Sequence, residues 1–576
     1  MRELLSKFRY QLTDYEALLP YSLLGVIGGI ASGLVVLAFE LAIFELGALW
    51  GVVDGGERFE TLPRWMLFAL PTGGALLLGC LYTLLKPADR ETGIVHVISR
   101  MHSHYSVLPL RNAVVQFIGG AFALASGQSG GREGPGVHLG GAANSLLGQW
   151  LGLPNNSLRV LVACGTAGGI SAVFHTPMAG VIFAMEVIIV EYTVVGFIPV
   201  MLAAVAALAV SRTLSPDSVF FSLPPLQMGS LVELPFIVLL GLVCGMAASA
   251  FIAISSLAAR TSHWPVAVRF AIAGGLTGGL ALLVPEVLGM GYDTLDLTLQ
   301  GELALATLAG IALCKILATA VSCGVGMPIG LIGPNLLIGA CIGAMFGTLA
   351  VTVLPDLALD PTLYIVIGMG AAMGAVLNAP LAALLAVVEL TQTINIGMPA
   401  MLAIVAANLT NSGLFGQDSA HRSVLRQLKR LVPDDPINQL LHSANVTRTM
   451  DTRVVRVPSV LAEQDLEPLL ESTPAWCVVT RADEDLYLVD GAELIACLSQ
   501  MPLDEQDADV TETAIRRWTI APVPIQASLR QAMDTMRDQT AEAVCICERS
   551  RSSGKNILHG IITKEAIEKF TLSSLG

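Results

Sequence analysis

Long apolar stretches are the feature that most restricts how this chain of 576 residues can fold. A bilayer is crossed by about 20 consecutive apolar residues. Runs of this kind occur near 20–46, 65–85, 112–126, 192–211, 232–259, 265–284, 303–322 and 397–415. Only 14% of the residues are charged, against about 25% in an average soluble domain. A soluble globule could not cover its surface with so few charges, so that class of protein is excluded.

The charged residues are concentrated at the carboxyl-terminal end. Residues 431–576 carry 13 Lys or Arg and 23 Asp or Glu, whereas the first 430 residues carry 19 and 23. This contrast predicts a cytosolic segment at 1–19, a part embedded in the lipid bilayer at 20–430, and a soluble tail. The acidic tail also argues against nucleic acid as a partner.

Basic residues mark both ends of the membrane part. They lie at Arg2, Lys7 and Arg9 and again at Arg422, Arg426, Lys429 and Arg430. Cytoplasmic loops carry an excess of Lys and Arg. We therefore expect a multi-pass protein of the inner (plasma) membrane with both termini in the cytoplasm.

Two tracts of the membrane part that are interrupted by Gly and Pro resemble each other. Each contains the pattern GxxGP, at 131–135 and at 330–334, and a second stretch, 165–187, aligns without gaps on 368–390. The interruptions predict short and broken helices in these tracts. The likeness predicts an internal duplication whose halves are parallel or inverted, at roughly 20–215 and 230–430.

The two GxxGP patterns are candidates for a transport site, because paired broken segments in corresponding halves point to substrate sites. Pro can begin a helix, since its missing N–H is not needed at the first helical position. Two helix starts that face each other would offer N–H donors and the positive ends of helix dipoles. Such a site suits a dehydrated anion, whereas a cation would require carbonyl or carboxylate oxygens.

Glu133 places a carboxylate at one of these helix starts. A charged side chain at membrane depth costs roughly 2.5–3.5 kcal/mol on insertion scales. One interpretation is an ion pair between Arg132 and Glu133 near an interface. The other is that the ionised Glu133 carboxylate competes with diffusing anions and closes the site until it is protonated or moves aside. The second interpretation predicts gating that depends on pH.

These motifs resemble those of one transport family. GREGP at 131–135, GLIGP at 330–334 and Glu389-Leu-Thr391 are similar to motifs of the CLC chloride channels and chloride/proton antiporters, and the resemblance covers about 20–430. It implies an all-α polytopic membrane protein with an inverted repeat of tilted, broken helices. It also implies a homodimer in the lipid bilayer, with one pathway per subunit for chloride or a similar small anion.

The resemblance implies roles for individual residues. Glu133 takes the position of the gating glutamate. The lining of the anion site would come from Gly131, Arg132, Gly134 and Pro135 in the first loop and from Gly330, Leu331, Ile332 and Gly333 in the second. Thr92 keeps the hydroxyl of a third lining loop, whose usual sequence is Gly-Ser-Gly-Ile-Pro. His421 falls where the family has a pore-lining Tyr; it either lines the pore as a donor or lies at the cytosolic surface.

The position of Val187 bears on proton coupling. Antiporters of the family commonly carry a proton-accepting glutamate directly after the glutamate matched by Glu186, and here that residue is Val187. An apolar Val cannot relay a proton, which favours channel-like conduction that is uncoupled from protons. The alternative is a chloride/proton antiporter that uses the same anion site, with Glu191 as a possible substitute relay.

The soluble tail contains a linker, 431–445, and two stretches, 446–500 and 511–570, that each predict the order strand, helix, strand, strand, helix. They resemble a pair of α/β CBS domains, which CLC proteins often carry on the cytosolic side. Such pairs can bind adenine nucleotides through Thr/Ser-x-x-Asp. The Asp is missing after Thr563, and Asp490-Gly-Ala-Glu493 is a weak variant. We therefore favour a tail without a bound nucleotide and expect no cofactor.

Two other classes of protein are less consistent with the sequence. A CBS-regulated cation channel would need an acidic cluster in its pore, and the apolar tract near 330–350 contains none. A membrane enzyme would need metal ligands or a nucleophile with a base. His138 and His175 are isolated along the sequence and are interpreted as core residues, so we expect neither an enzyme nor a metal site.

Overall fold

The computed structural model describes residues 18–52, 58–190, 194–215, 226–355, 359–430, 436–462, 469, 473–481, 484–498, 507–510, 514–549 and 556–575. The chain forms two compact units. Among the described residues, the helical unit comprises 18–151 and 160–430, and the tail unit comprises 152–159 and those from 436 to 575. Most of the predicted amino-terminal segment and the first residues of the predicted linker lie outside the described residues.

All the regular secondary structure of the membrane part is helical in its described residues, as the sequence predicts. Its helices are α1 (Leu18–Leu49), α2 (Arg64–Thr83), α3 (Gly93–Ser103), α4 (Leu110–Ala125), α5 (Glu133–Leu151), α6 (Asn155–Phe174), α7 (Pro177–Phe183), α8 (Val194–Leu214), α9 (Leu234–Ala259), α10 (Val266–Ala281), α11 (Tyr292–Leu299), α12 (Leu305–Gly324), α13 (Ile332–Val353), α14 (Pro361–Leu377), α15 (Pro380–Thr391), α16 (Gly397–Asn408) and α17 (Ala420–Gln427). π-Helical turns extend α7 over Ala184–Ile189 and α16 over Leu409–Leu414.

Eight helical stretches of the described chain are long and apolar enough to cross a membrane. Six of them fall on predicted apolar runs. The other two, α6 and α13, lie inside the tracts interrupted by Gly and Pro and span 20 and 22 residues. The same tracts contain the shorter helices α7, α14 and α15, so they combine broken helices with two of full length. The glycines of these helices face neighbouring helices and allow close packing instead of ending the helix.

Glycines at corresponding positions of the two halves allow two helix pairs to approach closely. Gly140 of α5 faces Gly165 of α6, and Gly339 of α13 faces Gly368 of α14. A Cβ atom on any of the four would collide with the carbonyl oxygen of its partner. Close backbone contact through small residues is typical of helices packed in membranes. The same contact occurs once in each half, as an internal duplication predicts.

Two carboxylates cap helices of the opposite half in a reciprocal way. Glu186, in the π-helical turn after α7, accepts hydrogen bonds from the N–H groups of Leu381 and Ala382 at 3.3 and 2.9 Å, at the start of α15. Glu389, near the end of α15, accepts hydrogen bonds at 3.0 and 2.8 Å from N–H groups at the start of α7. This exchange indicates a two-fold relation between the halves.

Removing one of these carboxylates should destabilise the helical unit without blocking ion flux. Glu389→Ala leaves two N–H groups at the start of α7 without their acceptor, and loss of a helix cap costs about 0.5–2 kcal/mol. We expect a lower thermal midpoint in detergent and normal chloride flux in liposomes. Glu302→Ala, at an exposed position, is the matched control. Equal thermal midpoints for the two variants would contradict the capping role.

The tail unit repeats one arrangement of strands. Its strands are β1 (Val454–Pro458), β2 (Val460–Ala462), β3 (Trp476–Arg481), β4 (Glu484–Asp490), β5 (Asp507–Asp509), β6 (Ile520–Pro524), β7 (Ala543–Arg549) and β8 (Asn556–Thr563), and its helices are α18 (Pro436–Ser443), α19 (Gly491–Leu498), α20 (Leu529–Asp538) and α21 (Lys564–Leu575). The sheets have the orders β1-β3-β4 and β6-β7-β8, each with a parallel pair followed by an antiparallel pair. Strands β2 and β5 form a separate antiparallel pair.

The two three-stranded sheets pack against each other through buried side chains. Trp476 and Trp518 meet edge to face with ring centroids 5.2 Å apart, and Leu488 and Trp518 exchange backbone hydrogen bonds at 3.0 and 2.9 Å. Burial raises the pKa of the Cys477 thiol to about 12. This cysteine therefore stays protonated and packs as a small apolar residue.

Candidate functional site

The two GxxGP loops meet in the interior of the helical unit. The N–H of Gly131 donates to the carbonyl of Gly330, and the N–H of Gly330 donates to the carbonyl of Gly131, both at 2.7 Å. The backbones come so close that a Cβ on Gly134 would lie 2.7 Å from the Cα of Gly330. Only glycine fits this contact, which explains the residue type at these positions of both loops.

A helix begins directly after each half of this contact. Helix α5 starts at Glu133 and α13 starts at Ile332. Pro135 and Pro334 are therefore the third residue of their helices, whereas the sequence predicts that each Pro is the first. The correction does not affect the helix starts, because none of the first four N–H groups of a helix has a partner within it.

The Glu133 carboxylate binds at the start of the opposite helix. The side chain is fully buried. Its Oε2 accepts a hydrogen bond from the N–H of Gly333 at 3.1 Å, and its Oε1 accepts one from the hydroxyl of Tyr292. A Cβ on Gly333 would lie 3.0 Å from the Tyr292 hydroxyl and 3.1 Å from Glu133 Oε1. The glycine thus leaves the space that the carboxylate fills.

Arg132 forms an ion pair with a different helix. Its Nη1 lies 3.4 Å from Oε1 of Glu40 on α1, and its guanidinium lies 5.4 Å from the centroid of the Tyr292 ring. The two carboxylate oxygens of Glu133 bind Gly333 and Tyr292, so the interpretation of Glu133 as the ion-pair partner of Arg132 does not describe this site. Glu40 and Tyr292 belong to the site, and no motif of the sequence predicts either residue.

A cavity of about 730 Å³ adjoins the loops. Among the residues that line it are five predicted ones, namely Thr92, Gly134, Gly330, Leu331 and His421. The other predicted residues of the two loops, Gly131, Arg132, Pro135, Ile332 and Gly333, lie outside its wall. The structure thus brings the three predicted lining segments and His421 to one cavity, with the carboxylate of Glu133 bound beyond it.

His421 is buried in the helical unit and is not exposed at its surface. It is the second residue of α17, with 4% of its surface exposed. Its Nδ1 atom has no hydrogen-bond partner among the described residues. A buried ring nitrogen that lines a cavity and lacks a partner is available to a bound ligand.

Thr92 precedes α3 in an extended conformation. The next residue, Gly93, has a φ of 74°, in a region that favours glycine. Its N–H donates to Oε1 of Gln116 at 2.7 Å. This bond fixes the backbone of the loop where Thr92 meets the cavity.

His138 and His175, which are isolated along the sequence, have partners in the fold. His138 Nε2 lies 2.8 Å from Nδ1 of His96, on α3, and His175 Nε2 lies 3.0 Å from the hydroxyl of Ser211. His96 also lines the cavity. The described residues contain no group of three or more His, Cys, Asp or Glu that could hold a metal ion.

The sequence also points to residues that bear on proton coupling and on nucleotide binding, and their places in the fold are as follows. Val187 is buried in the π-helical turn after α7, and Glu191 lies outside the described residues.

Asp490 accepts hydrogen bonds from Ala492 N–H and Glu493 N–H at 2.9 and 3.1 Å at the start of α19. Thr563 accepts one at 3.3 Å at the start of α21. Both tail residues thus act as helix caps.

Comparison with known proteins gives one consistent family. Residues 74–412 match the family model described as voltage gated chloride channel. The chain is 34% identical over 393 residues to a protein named putative chloride channel protein ClcB-like of Ralstonia nicotianae, covering 66% of this chain and 91% of that one. It is 28% identical over 417 residues to the H(+)/Cl(-) exchange transporter ClcA of Vibrio campbellii, covering 70% and 89%.

Solved structures with the same fold extend the comparison to the tail. A slow cyanobacterial Cl-/H+ antiporter matches with a TM-score of 0.61 at 20% identity, over 71% of this chain and 97% of that chain. A eukaryotic CLC transporter matches with a TM-score of 0.60 at 19% identity, over 95% of this chain and 97% of that chain. The second match includes most of the tail unit as well as the helical unit.

Proposed function

The chain belongs to the CLC family of voltage gated chloride channels, and from this premise we propose that each subunit conducts chloride or a similar small anion past the two GxxGP loops, with Glu133 as the gate. One observation carries the proposal. The Glu133 carboxylate accepts the N–H of Gly333 at the start of α13, and helix starts bind anions through such groups. An ionised Glu133 therefore occupies a position that a permeant anion would need.

The cavity beside the loops supports an anion as the transported species. Its described lining includes the four cationic side chains Arg90, Arg269, Lys429 and Arg430, against one acidic side chain, Glu91. Clefts lined by one sign of charge concentrate ions of the opposite sign. A cation pathway would have the opposite balance, so the remote alternative of a cation channel receives no support from this wall.

Within this function, the more specific proposal is channel-like conduction of chloride without proton coupling. It rests on Val187, whose apolar side chain cannot accept a proton at the position where coupled members of the family commonly have a glutamate. The second candidate is a chloride/proton antiporter. It is favoured by the similarity to a relative named as an H(+)/Cl(-) exchange transporter.

Flux in liposomes separates these two candidates. Purified protein is reconstituted with a chloride gradient, and chloride and external pH are recorded together. We expect chloride release without proton movement. Protons driven uphill at a fixed ratio to chloride would contradict the channel and support the antiporter, and no chloride release would contradict both.

His421 offers a test of the cavity as part of the pathway. We expect His421→Leu to weaken chloride binding about ten- to a hundredfold, because hydrogen bonds to charged groups contribute about 1.5–3 kcal/mol. Calorimetric titration with chloride measures the change. His263→Leu is the matched control, since His263 lines the same cavity at an exposed position. Equal affinities in both variants and the wild type would exclude His421 as an anion ligand.

We also propose a domain type for the tail and an oligomeric state for the protein. The repeated order of strands and helices in the tail unit, with the match of a eukaryotic CLC transporter over 95% of this chain, supports a cytosolic CBS pair at 446–500 and 511–570. Asp490 and Thr563 are engaged as helix caps, which supports a pair without bound nucleotide. We further propose a homodimer in the inner membrane with both termini in the cytoplasm.

A further inference from the structure

We propose that the hydroxyl of Tyr292 is an anion ligand, which with the N–H of Gly333 forms a binding site for chloride when the Glu133 carboxylate leaves. This inference rests on the proposed anion pathway and deepens it. The side chain that now fills the position is itself an anion, so its hydrogen-bond partners show which groups of the protein recognise negative charge there.

Two donors from different helices converge on that carboxylate. The Tyr292 hydroxyl, at the first residue of α11, donates to Oε1, and the Gly333 N–H, at the start of α13, donates to Oε2 at 3.1 Å. No side chain of residue 333 separates the two donors, because this residue is glycine. A Cβ added to Gly333 would lie 3.0 Å from the Tyr292 hydroxyl. A single halide ion in this space can contact both.

Tyr292 is held in place by groups other than Glu133. The guanidinium of Arg132 lies 5.4 Å from the centroid of its ring and is fixed by the ion pair to Glu40 at 3.4 Å. A cation near an aromatic ring is attracted to its face. The hydroxyl therefore keeps its position when Glu133 moves away.

The loop before α11 is fixed by a buried cation. The Nζ of Lys315, on α12, donates to the carbonyls of Val287, Leu288 and Gly289 at 3.1, 3.4 and 3.0 Å. These bonds hold the chain that leads to Gly291. Gly291 has a φ of 84° and directly precedes α11, which begins at Tyr292. The position of the hydroxyl is thus set together by α12, by the GxxGP loop before α5 and by α1.

The test compares chloride affinity in a protein whose site lacks the competing carboxylate. Calorimetric titration with chloride is made on full-length Glu133→Ala and on the same protein with Tyr292→Phe added. Because hydrogen bonds to an ion are about twice as strong as neutral ones, we expect the Kd to rise about tenfold when the hydroxyl is removed. Equal Kd values in the two proteins would overturn the proposal.

Tyr364→Phe in the Glu133→Ala protein is the matched control. The hydroxyl of Tyr364 donates to Glu233 at 3.1 Å, and that carboxylate also accepts two N–H groups, from Gly229 and Ser230. This variant removes a buried hydroxyl that is bound to a carboxylate elsewhere in the same unit. We expect its chloride affinity to equal that of Glu133→Ala, and a tenfold loss in this control would overturn the specific role of Tyr292.

One further pair of variants tests the same hydroxyl. If the Phe variant does not fold, Tyr292→His, which keeps a ring donor, is compared with Tyr292→Leu, which has none. Tighter chloride binding by the His variant supports the proposal, and equal binding contradicts it. The absence of chloride binding in Glu133→Ala alone would instead contradict the anion pathway itself, so the two failures are distinguishable.

Discussion

Replacing Glu133 with Gln should make chloride flux independent of pH while conduction persists. In the wild type, the ionised carboxylate binds the Gly333 N–H and the Tyr292 hydroxyl and excludes the permeant anion. Protonation weakens this binding, so flux should rise as pH falls and decline as pH rises. Gln keeps the size of the side chain but has no negative charge, so its flux at high pH should match that of the wild type at low pH.

Chloride release from liposomes over a series of pH values measures this effect. Glu45→Gln is the control, since it removes another carboxylate at an exposed position of α1 and should leave the pH dependence unchanged. A Glu133→Gln protein whose flux still changes with pH as the wild type does would contradict the gating role of Glu133.

Gly330→Ala should abolish chloride flux. A Cβ at this position would lie 2.6 Å from the N of Gly134 and 2.8 Å from the carbonyl oxygen of Gly131. Both neighbours are backbone atoms and cannot rotate away, so the two 2.7 Å hydrogen bonds between the loops must break. Overpacking of this kind costs about 1–3 kcal/mol, and here it also separates the two helix starts that form the site.

Flux per reconstituted protein and thermal stability in detergent measure the effect of Gly330→Ala. Gly275→Ala is the matched control, because Gly275 lies within α10 and a Cβ there would meet no atom within 4 Å. We expect normal flux and equal or slightly higher stability for this control, since Ala favours helix over Gly. Wild-type flux in Gly330→Ala would show that the contact of the loops is not required.

The parts of the site that lie in local motifs could be predicted from the sequence. The spacing of Gly and Pro around Glu133 and Gly330 identifies both loops, because close backbone contact and exposed N–H groups demand those residue types. Glu40 and Tyr292 could not be found in this way. Tyr292 lies 159 positions from Glu133, and nothing in the residues around it distinguishes it from other aromatic residues of the membrane part.

Contacts between residues that are distant in sequence are likewise not predictable from local motifs. His138 has no titratable neighbour along the chain, yet α3 and α5 pack so that His96 lies 2.8 Å from it. The full length of α6 and α13 cannot be predicted from the sequence either, because glycine weakens a helix in water and allows close packing in a membrane. The short strands β2 and β5, of three residues each, are too brief for an alternating pattern to reveal.

The most direct test of the anion site is anomalous diffraction from crystals of Glu133→Gln grown with bromide. Bromide replaces chloride and its position is seen without reference to side-chain density. We expect a bromide peak within hydrogen-bonding distance of the Gly333 N–H, where the Glu133 carboxylate now binds. Bromide peaks confined to the protein surface, with none between the two GxxGP loops, would contradict it.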